Sequence, residues 1–185
     1  MSNQEVRSEE HVNQKVSRYP QDTRDALLND LVQIIEGRGE RAFVASILVL
    51  EGKELRHAAA PGLPARYRES VNGMAIGPDM GSCGTAAFRG QPVYVPDVST
   101  DPLWARWTGA VTMVLETGFR ACWSVPIMSG SGKVLGTFAV YHREPRAPTE
   151  AERNLIAEAT RSAAFLFGRS VIAAAPKIGD GILRG

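Results

Sequence analysis

Leu27, Leu28, Leu31, Val32 and Ile35 recur at the three- and four-residue spacing of a helix that buries one stripe, with Asp22 or Thr23 placed to cap its start and Gly37 to stop it. The period then changes. Residues 42–50 (AFVASILVL) are too continuous and too β-branched for a surface helix and predict a central strand buried on both faces. Glu51-Gly52-Lys53-Glu54 turns the chain back into a second strand over 55–60, so a hairpin opens the domain.

The middle of the chain is less regular. Pro61-Gly62 breaks it, a short polar helix fits residues 64–71, and Gly77, Gly81 and Gly84 mark loops around a one- or two-turn helix over 82–88 that Gly90 closes. Residues 93–98 form a brief strand, and Pro92 and Pro96, each lacking a ladder donor, place it at a sheet edge. Asp101-Pro102 starts a helix, with Asp as cap and Pro at the first position, running through Leu103, Trp107, Val111, Val114 and Leu115 to Gly118. Strands over 120–128 and 134–143 are joined by Ser129-Gly130-Ser131-Gly132. Thr149 and Glu152, preceded by Pro148, form a capping box for a long amphipathic helix with Leu155, Ile156, Ala159, Ala163 and Leu166 on its apolar face. Together these elements predict an α+β domain: a central antiparallel sheet of five or six strands with the helices segregated from it. The domain is expected over residues 22–170, between an N-terminal extension (1–21) and a C-terminal tail (171–185).

Composition narrows the function classes. The 185 residues suffice for one domain with a substantial core. Lys and Arg number 21 against 20 Asp and Glu, a formal net charge of +1, and no dense basic run occurs, so no nucleic-acid partner is expected. The polar N-terminus offers no signal peptide, and the longest apolar run falls far short of the ~20 residues a spanning helix needs, so no membrane partner is expected either. Two cysteines make no disulfide framework, which fits a reducing, cytoplasmic setting. Small molecules and other proteins remain as partners.

The segments 81–87 (GSCGTAA), 90–98 (GQPVYVPDV), 118–127 (GFRACWSVPI) and 134–141 (VLGTFAVY), with Thr149-Glu150-Ala151-Glu152 before the last helix, resemble GAF domains of bacterial signalling proteins. The resemblance spans roughly residues 22–169. It implies a GAF/PAS-like fold with the terminal helices on one face of the sheet and a ligand pocket on the other, roofed by the irregular middle segments. It also implies a sensor that binds an unidentified small molecule or cofactor and signals through its terminal helices. The output would be a histidine kinase, a cyclic-di-GMP enzyme or a transcription activator. Homodimerisation is expected from the two terminal helices, whose further face would carry Ala163, Ala164 and Phe167.

The same resemblance makes residues 73–98 and 102–118 the pocket walls, which brings in Tyr94, Asp97 and Val111 as candidate ligand contacts. Trp104 and Trp107 stand three apart on one predicted helix and share a face, either covering the sheet or forming an aromatic wall. Trp123 sits mid-strand, as a pocket contact or as packing beneath a helix. Arg120 offers a fork of donors to an anionic ligand or to a surface salt bridge. Tyr141 and His142 are adjacent in a strand and point to opposite faces, so one alone can meet the pocket. His142 and His57 are the candidates for haem ligation against the plainer reading of packed histidines. Cys83 is expected in the first turn of a short helix, where the helix dipole would lower its pKa. Its Cys-Gly-Thr-Ala stretch is similar to that of the free methionine-sulfoxide reductases, an enzymatic GAF family. Cys122, however, lies in a strand where that family uses a loop, and a third cysteine is missing. Neither cysteine precedes a histidine as in bilin-binding domains, the cyclic-nucleotide signature is untraceable, and no zinc-spaced ligand cluster or phosphate-binding glycine loop occurs. A non-enzymatic ligand-binding module is therefore the expected class, with thiol reductase chemistry at Cys83 as the alternative.

Overall fold

The computed structural model describes residues 21–105 and 108–167. The opening hairpin forms as its pattern predicts. Strand β1 (Val44–Glu51) turns through Gly52, at φ +63°, into β2 (Glu54–Ala59). Four further strands complete the sheet: β3 (Met74–Ala75), β4 (Val93–Val95), β5 (Ala121–Met128) and β6 (Val134–His142). Their order is β3-β2-β1-β6-β5-β4, and every neighbouring pair is antiparallel. The continuous apolar run of β1 lies at the centre, paired with β2 and β6, while the proline-flanked β4 lies at the edge.

Helices α1 (Gln21–Arg38) and α6 (Glu150–Phe167) cover one face. Leu28, Val32 and Ile35 of α1 meet Ile47 of β1, Trp123 and Ile127 of β5, and Phe138 and Val140 of β6, all at most 1% exposed. Ile156, Ala159 and Ala163 of α6 close the same layer. Both helices are fixed by specific polar contacts. Ala45 N–H donates to Glu36 Oε1 at 2.7 Å, tying the end of α1 to β1, although burial pushes the Glu36 carboxyl up. The capping box forms reciprocally: Glu152 N–H donates to Thr149 Oγ1 at 3.2 Å and Thr149 N–H to Glu152 Oε2 at 2.8 Å.

The other face is roofed by α2 (Ala65–Val71), α3 (Gly81–Arg89), α4 (Pro102–Ala105) and α5 (Thr108–Glu116). Asp101 Oδ1 accepts the Leu103 N–H at 2.9 Å, the cap expected there. Gly90 ends α3 in the left-handed conformation and donates to Ala86 O.

Several expectations are corrected. The edge strand stops at Val95, because Asp97 enters a turn bonded to Ser99. The two-residue β3 was missed, being too short to carry a period. The helix expected over 102–118 is found on both sides of residues 106–107, which lie outside the described residues: α4 before them and α5 after them, ending at Glu116. Ala163 is fully buried, and Ala164 and Phe167 pack against the same core layer, so they do not form a spare face; the exposed large apolar residues of the terminal helices are Ile34 and Phe165. The proposed terminal extension and tail lie outside the described residues, except Gln21. Among the described residues no helix is long and apolar enough to cross a membrane.

Candidate ligand cavity

Strand alternation creates the site. Trp123, Val125 and Ile127 of β5 turn toward α1 and α6, which sends Cys122 and Ser124 to the opposite face. In β6, Phe138 and Val140 turn the same way as Trp123, leaving Ala139 and Tyr141 opposite. The register pairs Cys122 with Tyr141 and Ser124 with Ala139, so two strands present thiol, hydroxyl, methyl and phenol groups to the roof. A floor this small-featured lets α3 approach closely. Its first turn joins the floor through Ser82 Oγ–Cys122 Sγ (2.9 Å), Cys83 Sγ–Ser124 Oγ (3.1 Å) and Ser124 Oγ–Ser82 Oγ (3.0 Å).

Beside this cluster lies a cavity of about 50 Å3. Leu48, Cys122 and Tyr141 form its floor, Gly81 to Cys83 one wall, Tyr67 and Val71 another, and Trp104 with Met113 the roof. Gly81 holds φ +58°, a backbone turn that favours glycine, and the Trp104 ring lies over it, 3.4 Å from where a Cβ would stand. Tyr141 stacks edge-on with Tyr67, centroids 5.7 Å apart, and lies 5.2 Å from Phe119; its hydroxyl is 3.5 Å from Ser46 Oγ.

None of the described lining residues carries a full charge. Burial pushes both the Cys83 and Cys122 thiols up, and the phenols of Tyr67 and Tyr141 well up, so all four are neutral at physiological pH. Cys83 is indeed in the first turn of α3, but its expected pKa lowering is overturned. Desolvation pushes the thiol up and outweighs the bonds from Ser124 and Ser82. One polar atom among the cavity residues stands apart. Trp104 is 4% exposed, and its indole Nε1 is buried without a partner among the described residues.

Of the nine candidate contacts, Cys83, Trp104 and Tyr141 line the cavity. Val111 packs against the same apolar cluster without lining it, its neighbours Met113 and Val114 facing inward instead. Tyr94 turns to the terminal-helix face, where Arg153 lies over its ring at 5.4 Å. Asp97 and Arg120 pair with each other at 3.3 Å, so Arg120 takes the salt-bridge alternative. Trp123 is fully buried beneath the helices and donates from Nε1 to Arg146 O at 3.1 Å. Trp107 lies outside the described residues. Tyr141 and His142 face opposite ways as expected, and Tyr141 is the one at the cavity. Neither His142 nor His57 lines it; burial lowers both imidazoles to about 4.

Sequence reasoning missed Tyr67, Ser82 and Cys122. Tyr67, Ser70 and Val71 have i, i+3, i+4 spacing, which marks one helix face turned inward. Cys122 follows once Trp123 is assigned to the helices, since neighbours in a strand part company.

A family profile described as "GAF domain" matches residues 20–167, and the chain belongs to the GAF domain family. The chain is 36% identical over 125 residues to the "Methyl sulfide methyltransferase-associated sensor" of Methanosarcina acetivorans; this covers 68% of the chain and 12% of that protein's length. Among solved structures, the GAF domain of an Acinetobacter phosphoenolpyruvate-protein phosphotransferase superposes with a TM-score of 0.60 at 19% identity, over 90% of this chain and 94% of that one. A type II free methionine-R-sulfoxide reductase from Thermoplasma acidophilum reaches 0.62 at 15% identity, over 80% of this chain and 94% of that one. Both establish the six-stranded α+β fold and nothing about the ligand.

Proposed function

We propose that this GAF domain is the sensory module of a bacterial, cytoplasmic signal-transduction protein, which holds a very small, uncharged molecule in the cavity beneath Trp104. The observation that carries this reading is a neutral, largely apolar hollow bordered by one buried indole donor that has no partner among the described residues. A buried donor left unpaired costs free energy, and a ligand oxygen that accepts it removes that cost. A hollow of about 50 Å3 holds on the order of four heavy atoms, since one water-sized sphere takes roughly 10–15 Å3. Ligand state would pass through α1 and α6, within a homodimer, to an output partner such as a histidine kinase, a cyclic-di-GMP enzyme or a transcription activator. The sensor name of the Methanosarcina relative supports the role, and its methyl sulfide label suggests the first probes.

Dimethyl sulfoxide and dimethyl sulfide differ by one acceptor oxygen, so they test the indole directly. Dimethyl sulfoxide is expected to raise the melting temperature, by the equivalent of about 2.7 kcal/mol at ~100 times its Kd, and the sulfide by less. Trp104→Phe should erase the difference. Equal responses to both compounds in wild type and variant, or no response and no ligand mass in native mass spectrometry, defeat the reading. Sedimentation as a monomer at high concentration defeats the dimer separately.

Thiol chemistry is the second reading, favoured by Cys83 and Cys122 both lining one cavity. The raised thiols oppose it, because the thiolate is the reactive form. Turnover of free methionine sulfoxide with dithiothreitol, abolished by Cys83→Ser, would establish it over simple binding.

A further inference from the structure

At the end of the sheet where β1 begins and β6 finishes lies a second hollow, of about 440 Å3. Arg41 reaches it from the segment before β1, and Arg143 and Arg146 from the segment after β6. Among its described lining residues Glu144 alone is acidic; it is mostly exposed and stands 3.5 Å from Arg41. Glu152, outside the lining, takes one edge of Arg146 at 2.8 Å. Two polar atoms of the lining residues are buried without partners among the described residues: Arg146 Nη1, and Nε2 of His142, a residue only 2% exposed. Phe43, Val44 and Phe119 supply an apolar wall. Arg143 holds that wall, with its guanidinium 5.4 Å over the Phe119 ring and a bond to Thr117 O at 3.1 Å.

Cationic excess, an arginine donor and an imidazole nitrogen buried without partners among the described residues, and an adjoining aromatic surface define one kind of guest. We infer that this cleft binds a small organic anion, a carboxylate or phosphate on an aromatic or apolar body, with its acidic group between Arg41, Arg146 and His142 and its body against Phe43 and Phe119. Planar guanidinium groups suit such oxygens, and a cleft of this volume suits a guest of metabolite size. The site is separate from the cavity beneath Trp104, although Tyr141 borders both. His142 reports on occupancy. Burial is the main cause of its low pKa; Arg146 and Arg41 add to it, and Glu152 and Glu144 oppose them. A bound anion joins the opposing side and raises the value.

Isothermal titration of the full chain with phenyl phosphate, inorganic phosphate and phenol tests the inference. Phenyl phosphate should bind at least tenfold more tightly than either fragment, and NMR titration should show the His142 pKa rising when it is bound. Arg41→Gln should weaken binding about tenfold with an unchanged melting temperature, because Arg41 forms only an exposed pair. Trp104→Phe should leave binding intact, so failure of the first cavity and failure of this cleft are told apart. The inference is overturned by no phenyl phosphate binding, by equal affinity in Arg41→Gln, by either fragment matching the whole, or by loss of binding in Trp104→Phe.

Discussion

The two faces of the sheet are built from the same strands, residue by residue in alternation, yet they are packed to different ends. Toward α1 and α6 the strands send Ile47, Trp123, Ile127, Phe138 and Val140, large groups that are at most 1% exposed. Toward the roof they send Ser46, Cys122, Ser124, Thr137 and Ala139, as deeply buried but small or polar, beside the larger Leu48 and Tyr141. The first set fills its layer with apolar volume, the arrangement that contributes most to stability. The second leaves room, and its Cys122 and Ser124 bond to Ser82 and Cys83 of α3 instead of filling it. One sheet thus carries a structural face and a receptive face, and side-chain size in alternate positions sets them apart.

The largest expected effect comes from cutting into the filled face. Phe138→Ala removes a fully buried ring between β6 and the terminal helices and is expected to destabilise by about 3–5 kcal/mol, read as a lower denaturant midpoint. A loss below about 1 kcal/mol would mean that this layer is no better filled than the other, and the contrast would fail.

Acid distinguishes the faces next, because each holds one depressed histidine. His142 stacks beside Trp123, centroids 4.4 Å apart, on the filled side, and His57 pairs with Leu48 in the strand register on the receptive side. Folding holds each at about 4 against an ordinary 6.5. Between those values the unfolded chain binds more protons, so this contribution is fully present above pH 6.5 and is lost as pH falls toward 4. For the deeply buried His142 the full loss is roughly 3 kcal/mol. His142→Phe should cut the slope of stability against pH across that window by about half, leaving the His57 contribution. An unchanged slope in His142→Phe would show that the filled face admits water at this point.

Much of this was legible in the chain. The capping box at Thr149 and Glu152, the cap at Asp101 and the central apolar run of β1 each have a local cause, and local causes can be read from neighbours in sequence. Alternation also showed that Tyr141 and His142 must part. What alternation cannot supply is the sign. A strand divides its residues into two sets, but only the packing of α6 and the Cys122–Tyr141 register assign Trp123 to the helices and Cys122 to the cavity. Tyr94 and Asp97 were placed at the pocket by the segment they occupy, whereas three-residue β4 turns Tyr94 away and Ser99 and Arg120 engage Asp97. Cys83 shows the same limit in electrostatics: its helix position was readable, but its depth, which decides the direction of its pKa, was not.

The smallest expected effect tests the receptive face most directly. Val71 is partly buried on the cavity wall, and Val71→Leu adds one methylene toward a hollow of about 50 Å3. If that space is empty, the added group gains apolar burial of up to about 0.8 kcal/mol and stability stays level or rises slightly. The same addition to a filled layer costs about 1–3 kcal/mol through off-rotamer packing. Denaturant midpoints with and without dimethyl sulfoxide separate the cases. The expected result is unchanged or slightly higher stability with a smaller response to the probe, because leucine and ligand compete for the same volume. Destabilisation beyond about 1 kcal/mol would show the roof already closed on the sheet, and the two faces would then differ in chemistry but not in room.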